Sequence, residues 1–175
     1  MVNTLTGIIY IAGSDDGAPG IATFNHPYGI DLDNNGNIIV ADEWNNVIRK
    51  VTPTGNVTTI AGVGINGSFD GQASAAMFNY PWDVTVDSIG NIFIADGGNR
   101  NIRKITTATW MVSTYAGTAG VQGANDGIGA AASFDGPTGI SFNSFDKCFY
   151  VADAYNYLIR KISLLSATTL VLTTT

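Results

Sequence analysis

Three pairs of one acidic and one basic residue recur along the chain at the same spacing. They are the first candidates for a catalytic or binding site. In each pair an arginine follows an aspartate by seven residues, giving Asp42 with Arg49, Asp96 with Arg103 and Asp153 with Arg160. A carboxylate beside a guanidinium can serve as an acid/base or anion-binding site, or it can tie two strands together as a bidentate ion pair. Because a catalytic site rarely needs three copies, the repetition favours structural ion pairs.

The chain has few other side chains that carry out chemistry. A single histidine, His26, and a single cysteine, Cys148, exclude a His–His metal pair and an intrachain disulfide. Asp-Gly pairs begin at Asp16, Asp70 and Asp126. Calcium is one use of such carboxylates, but a turn in which glycine takes a positive φ explains them more simply. Since the sequence also lacks a phosphate-binding loop, a dinucleotide fingerprint and a nucleophile elbow, we expect no catalytic residue, metal or cofactor.

The ion pairs belong to a unit that occurs three times. Pro27, Pro81 and Pro137 are 54 and 56 residues apart, and the three aspartates of the ion pairs are 54 and 57 residues apart. Each arginine stands within Ile-Arg-Lys, and a phenylalanine stands three residues before each proline. An Ala-Gly pair at residues 12–13, 61–62 and 116–117 ends a strand-like run. Landmarks that keep register three times indicate a repeat architecture.

Each unit is predicted to form four short antiparallel strands. In the middle copy they span residues 82–87, 91–95, 101–105 and 111–116, which are rich in β-branched and aromatic residues and bounded by Gly, Asn, Asp or Pro. No segment shows a sustained helical period. Four-stranded units at this spacing indicate an all-β fold, a β-propeller of about three blades. We place the blades at residues 14–62, 63–117 and 118–175, with a divergent last strand near residues 168–174. Residues 1–13 are predicted as an outer strand that completes a neighbouring blade.

The unit resembles the NHL repeat. In the first copy the matching residues are Pro27-Tyr28-Gly29-Ile30, the turn from Asp33 to Asn37, Val40-Ala41-Asp42, Asn45, Ile48-Arg49-Lys50 and Thr59-Ile60-Ala61-Gly62. The likeness covers about residues 10–162 and implies the β-propeller fold. It leaves the function open, because the family includes enzymes, RNA-binding proteins, sensors and scaffolds.

The loops between the second and third strands point to recognition. In an antiparallel blade these loops emerge at the same end as the long connection from the preceding blade, and both segments vary between copies. Aromatic residues with polar tips on such a face are typical of binding surfaces, although packing between adjacent blades would use the same residues. The predicted binding face, for a protein or a glycan, comprises Glu43, Trp44, Asn46, Tyr80, Arg100, Tyr155 and Tyr157.

Three blades are fewer than a propeller ring normally contains, which is about four to eight. They leave two unpaired edges, and unpaired edges favour association. The chain is therefore predicted either to form half of a six-bladed ring with a second copy or to be a piece of a longer polypeptide.

Composition narrows the classes of partner. The net charge of −6 speaks against nucleic acid, which needs clustered Lys and Arg. No apolar run reaches the ~18 residues of a membrane span. Two glycosylation sequons, at Asn56 and Asn66, favour an extracellular or cell-surface setting. We expect a non-enzymatic interaction or structural module; the alternative is a metal-assisted lyase or hydrolase whose site forms only when the ring is completed.

Overall fold

The computed structural model describes residues 1–163, which form three antiparallel sheets. The first sheet has the order β1-β2-β3-β4, and its strands are Pro27–Leu32, Ile38–Asp42, Val47–Val51 and Val57–Ala61. The second has the order β5-β9-β8-β7-β6, and its strands in chain order are Gly71–Gln72, Pro81–Val86, Ile92–Asp96, Asn101–Thr106 and Met111–Ala116. The third has the order β10-β11-β12, with strands Pro137–Asn143, Cys148–Asp153 and Leu158–Ser163.

Short 3-10 turns are the only helical elements within residues 1–163. Three of them connect the second and third strands of a sheet, at Glu43–Asn45, Gly97–Asn99 and Ala154–Asn156, and a fourth spans Gly129–Ala131. The all-β prediction is thus confirmed, and the four strands predicted in the middle copy match β6 to β9 within one residue at each end. The fourth strand predicted near residues 168–174 lies outside the described part of the chain.

The three sheets follow one another as blades, with their first strands side by side. The Asp31 carboxylate on β1 accepts hydrogen bonds from the Val86 backbone N–H (2.8 Å) and the Thr85 hydroxyl (2.9 Å) on β6. Asp83 on β6 likewise accepts from the Ile140 N–H on β10 at 2.9 Å. Neighbouring blades are therefore joined along their inner strands by carboxylates, because strands of different sheets share no ladder.

Apolar side chains fill the space between successive blades. One core lies between the first two sheets and contains Ile48 of β3 together with Val84 and Ile94 of the second sheet. A second core joins Ile102 of β8 to Phe149 of β11. The strand β7 is buried along its whole length, which explains why its residues from Ile92 to Ala95 are all apolar. The second blade is thus covered on both faces.

Residues 7–16 repeat the conformation that links one blade to the next. Gly7 has a φ of 92°, as Gly62 (100°) and Gly117 (87°) do at the ends of β4 and β9. Tyr10 then takes a positive φ, like Gly64 and Gly120. Parallel bridges follow from residue 12 to 24, from 66 to 78 and from 122 to 134.

The counterpart of the blade-ending glycine is therefore Gly7, and the alignment of residues 12–13 with residues 61–62 and 116–117 is wrong. The letters Ala-Gly are the same, but Gly13 is the counterpart of Gly67 and Gly123, since all three donate an N–H to the carbonyl of the repeat phenylalanine. No strand forms within residues 1–13. Pairing of this segment with another blade stays a prediction.

Candidate functional site

Each repeated arginine is buried at the centre of a polar cluster. In the second blade, Arg103 Nη1 donates to Asp96 Oδ2 at 2.9 Å, and Nη2 donates to Asp70 Oδ1 at 2.6 Å. The Met77 and Phe69 carbonyls accept the remaining Nη bonds. The side chains of Arg103 and Asp96 are completely buried. Both terminal nitrogens of the guanidinium are occupied within the chain, so the cluster offers no open anion site.

The same arrangement recurs in the other two blades. Arg49 binds Asp42 and Asp16, and Arg160 binds Asp153 and Asp126, at N–O distances of 2.6 to 2.9 Å. An asparagine amide donates to each strand-ending aspartate at 2.8 Å and to a carbonyl of the blade connection; the three are Asn45, Asn99 and Asn156. The second carboxylate of each cluster therefore comes from the Asp-Gly loop, a role that the sequence interpretation missed.

Burial and hydrogen bonding have opposite effects on the pKa of Asp96, the central carboxylate of the second blade. Removal from water raises the pKa of Asp96 to about 6, while Arg103, the Asn79 N–H and the Asn99 amide favour its charged form. Within the described residues, no group of three or more His, Cys, Asp and Glu side chains is arranged to hold a metal ion. The clusters connect strands and loops.

The loop end of the blades carries exposed aromatic rings. On the first blade, the His26 and Trp44 rings stack with centroids 3.7 Å apart and an interplanar angle of 15°. On the next two blades, Trp82 and Tyr155 meet edge to face at 6.3 Å. Tyr80 is also exposed at this end. The rings of three blades thus face one side of the molecule.

Three members of the predicted binding face contact the next blade. Glu43 Oε1 accepts a hydrogen bond from the Trp82 indole N–H at 2.9 Å, and Asn46 Oδ1 accepts from the Tyr80 N–H at 2.9 Å. Arg100 Nε donates to Asp135 at 2.9 Å. The other four, Trp44, Tyr80, Tyr155 and Tyr157, have exposed side chains. The structure therefore contains both features that the sequence left open, packing between blades and an exposed aromatic surface.

The stack of His26 on Trp44 is a feature that the sequence analysis did not predict. The two residues are 18 positions apart, on different loops, and His26 occupies the position of Tyr80 and Gly136 in the other blades. All three of these residues have a positive φ, between 49° and 63°. The shared backbone turn directs the residue toward the adjacent loop, where Trp44 and Tyr155 are the aromatic neighbours of His26 and Gly136.

The two sequon asparagines, Asn56 and Asn66, are exposed. Asn56 lies in the turn between β3 and β4, and Asn66 lies in the connection between the first two blades. Their accessibility is compatible with the predicted glycosylation, which stays a prediction.

Comparisons with known proteins agree with this architecture. Successive antiparallel sheets of three to five strands that adjoin along their first strands are typical of the blades of a β-propeller. The NHL repeat model matches residues 24–50 and 78–105, within the first two blades. NHL repeat-containing protein 2 of Homo sapiens is 31% identical over 178 residues, an alignment that covers 87% of this chain and 24% of that protein. The chain therefore contains NHL repeats.

Solved structures show the same fold. A protein of unknown function from Bacteroides thetaiotaomicron has 30% identity and a TM-score of 0.70, over 73% of this chain and 32% of that chain. An auxiliary nutrient binding protein from the same organism has 22% identity and a TM-score of 0.66, over 77% of this chain and 36% of that chain. The chain spans about a quarter of the human relative and about a third of these two chains. Within residues 1–163, no helix has the length and apolarity needed to cross a membrane.

Proposed function

We propose that the protein is a non-enzymatic binding module that takes its ligand on the aromatic loop end of the blades. The observation that carries the proposal is the exposed stack of His26 and Trp44, with Tyr80 and Tyr155 exposed at the same end. Exposed aromatic rings with polar tips are common at binding surfaces because they contribute large contact areas with little loss of conformational entropy.

The ligand that best fits this surface is uncharged. Two charged residues of the predicted face already have partners in the chain, since Glu43 binds the Trp82 indole and Arg100 binds Asp135. Flat apolar rings combined with hydroxyl and imidazole groups suit the alternating apolar and hydroxylated surface of an oligosaccharide. The likeness in fold to an auxiliary nutrient binding protein supports a ligand-binding role. A protein surface is the alternative ligand.

Tryptophan fluorescence provides a direct test. Titration of the protein with a panel of neutral oligosaccharides is expected to change its emission, and Trp44→Ala is expected to weaken binding about tenfold or more, because the ring forms the contact surface. Trp110→Ala is the matched control. Trp110 is exposed in the turn between β8 and β9, at the opposite end of the blade, so its removal should leave the affinity unchanged.

The proposal fails if Trp44→Ala and Tyr155→Ala bind every active oligosaccharide as tightly as the unchanged protein does. If no oligosaccharide binds but a protein partner is captured and lost again on Trp44→Ala, the surface recognises protein. We further propose an extracellular or cell-surface setting and self-association through the unpaired blade edges. A glycosidase-sensitive mass increase at Asn56 or Asn66 in secreted material would test the setting.

A further inference from the structure

The outward face of the third blade is exposed, whereas the equivalent faces of the first and second blades are buried. Ile48 on β3 and Ile102 on β8 are 0% exposed because the following blade covers them, whereas Ile159, at the same position of β12, is 74% exposed. At the opposite end of the stack, Ile30 and Leu32 of β1 are exposed. Their counterparts on β6 and β10 pack against the preceding blade. The two ends thus carry the two halves of one repeated interface.

A groove runs along the outer edge of the third blade. It has a volume of about 770 Å³, and among its lining residues are Asp126, Ala132, Phe134, Arg160 and Ile162. Within the described residues, no strand lies outside β12. In the first two blades, the corresponding place is occupied by β4 and β9.

The residue that fills this place in the other blades is a valine. Val57 and Val112 are each 1% exposed. Val57 packs against Ala22 and Val51, which are the counterparts of Ala132 and Ile162. The floor of the groove therefore fits a valine on an added strand.

The first residues of the chain have the sequence of such a strand. Val2-Asn-Thr-Leu-Thr-Gly7 aligns with Val57-Thr-Thr-Ile-Ala-Gly62 and with Val112-Ser-Thr-Tyr-Ala-Gly117. The structure supports this register independently, because Gly7 has the backbone conformation of the two blade-ending glycines. Val2, the counterpart of the two buried valines, is 99% exposed.

A polar contact between the outer strand and the Asp-Gly loop supports the same alignment of residues 2–7 with β4 and β9. In the first blade the backbone N–H and the hydroxyl of Thr59 donate to Asp16, and in the second blade those of Thr114 donate to Asp70. Asp16 and Asp70 are each 46% exposed at the side chain, whereas Asp126 is 96% exposed. The counterpart of Thr59 and Thr114 in the first six residues is Thr4. A strand placed in the groove would bring Thr4 to Asp126.

We propose that a second copy of this chain binds head to tail, with its residues 2–7 as the outer strand of the third blade and its Ile30 and Leu32 against Ile159. This inference rests on the proposed self-association and names its interface. Head-to-tail contacts form a closed ring when the rotation from one copy to the next is a whole fraction of a full turn. Two copies related by a two-fold axis would in this way complete six blades. The strand predicted near residues 168–174 is the alternative occupant of this place, but residues 164–175 contain no glycine that could end it as Gly62 and Gly117 end β4 and β9.

Cysteine cross-linking tests the register. Lys50 is the Cα partner of Thr58, and Lys104 is the partner of Ser113, so Lys161 should lie opposite Asn3 of the second copy. Mixing Asn3→Cys protein with Lys161→Cys protein under oxidising conditions is expected to give a disulfide-linked pair, since directly opposed strand residues have suitable Cα distances. Asn3→Cys mixed with Ser88→Cys is the control and should not cross-link, because Ser88 lies exposed in the turn between β6 and β7. Cys148 is buried and should not interfere.

Thr4→Pro tests the same contact without introducing a thiol. Proline removes the N–H that would reach Asp126, and we expect the dissociation constant of the dimer to rise about tenfold or more, while Asn3→Ser should leave it unchanged. Cross-linking no better than with Ser88→Cys, or a dimer that Thr4→Pro does not weaken, would overturn the proposal. The oligosaccharide titration on the same variants separates the two hypotheses, because the Trp44 surface lies at the loop end and can bind ligand whether or not the edges pair.

Discussion

At the scale of single residues, each buried arginine joins parts of the chain that are far apart in sequence. Arg103 contacts Asp96 seven residues before it and Asp70 thirty-three residues before it. The first contact holds two strands of one blade together, and the second holds the connecting loop against the blade. A guanidinium suits this role because its planar array of donors can bind several oxygens in fixed directions.

Removing this arginine should destabilise the fold strongly. Arg103→Ala leaves the Asp96 carboxylate buried without its counter-charge, which should lower the free energy of unfolding by about 3–5 kcal/mol. Urea unfolding at constant protein concentration measures the change. Lys104→Ala, the next residue on the same strand, is the control and should cost less than about 1 kcal/mol. Equal losses for the two variants would contradict the structural role of the cluster.

A second residue-scale prediction concerns the inner-strand carboxylate Asp83. Burial, with a smaller contribution from the charge of Asp31, raises the pKa of Asp83 above its ordinary value of 3.8. The unfolded chain therefore releases this proton at a lower pH than the folded chain, so this residue makes the free energy of unfolding fall as pH rises through the interval above 3.8.

Replacing the carboxyl by an amide should remove that dependence. Asp83→Asn keeps an oxygen that can accept from the Ile140 N–H but does not ionise in this interval. Urea unfolding of both proteins between pH 4 and 6 is expected to show a less negative slope for the variant. Parallel curves for the two proteins would show that Asp83 ionises equally easily in the folded and unfolded chains.

At the scale of elements, the glycines that follow the outer strands mark where each blade ends and the connection to the next blade begins. Gly117 has a positive φ, and a Cβ there would lie 3.1 Å from both the Asn101 Cβ and a Phe134 ring carbon. Gly120 also has a positive φ, but a Cβ there would meet no atom within 4 Å. An alanine at Gly120 would therefore add backbone strain alone, whereas an alanine at Gly117 would add both backbone strain and steric crowding.

Alanine substitutions at these glycines should differ in cost. Gly120→Ala is expected to lower the free energy of unfolding by about 1–3 kcal/mol, the cost of a left-handed conformation for a residue with a side chain. Gly117→Ala should cost more, because the Asn101 and Phe134 side chains must also move. Chemical unfolding of the two variants gives the comparison. A smaller loss at Gly117 than at Gly120 would mean that the contact between the second and third blades tolerates expansion.

The longer strands were predictable from the sequence because each is bounded by residues with strong local preferences, whereas the two-residue strand β5 and the 3-10 turns were not predicted. Pro81 begins β6, and the turn at Gly90 separates β6 from β7, so the strand limits follow from local signals. Gly7 was missed as the counterpart of Gly62 and Gly117, because residues 12–13 carry the same letters, Ala-Gly, as the ends of β4 and β9. The backbone φ of Gly7 and the hydrogen bond from the Gly13 N–H to the Phe24 carbonyl distinguish the two positions.

Contacts between distant segments were less predictable than the strands. Asp70 reaches Arg103 and Thr114 across 33 and 44 residues, and no local preference encodes such a pair. The same limit applies to the aromatic end, where the stack of His26 on Trp44 depends on how two loops meet. The repeat could have indicated the role of the Asp-Gly loops, since their aspartates recur in phase with the arginines.

At the scale of the whole molecule, the first and third blades expose end surfaces that differ from each other and are complementary. The groove beside β12 fits the strand sequence of residues 2–7, and exposed Ile159 fits the surface formed by Ile30 and Leu32. Burying these side chains would remove apolar area from water at both ends of the stack, which favours assembly. In such an assembly Tyr157 would lie against the second copy, as Asn46 and Arg100 lie against the next blade, whereas Trp44 belongs to neither paired edge.

The most direct measurement is the molar mass of the 175-residue chain in solution, determined by multi-angle light scattering over a range of micromolar concentrations. We expect a species of twice the chain mass, and for Thr4→Pro at the same concentration we expect the mass to fall toward that of one chain. A chain that keeps the mass of one copy at every concentration, folded and without aggregation, would contradict the assembly of complementary blade ends.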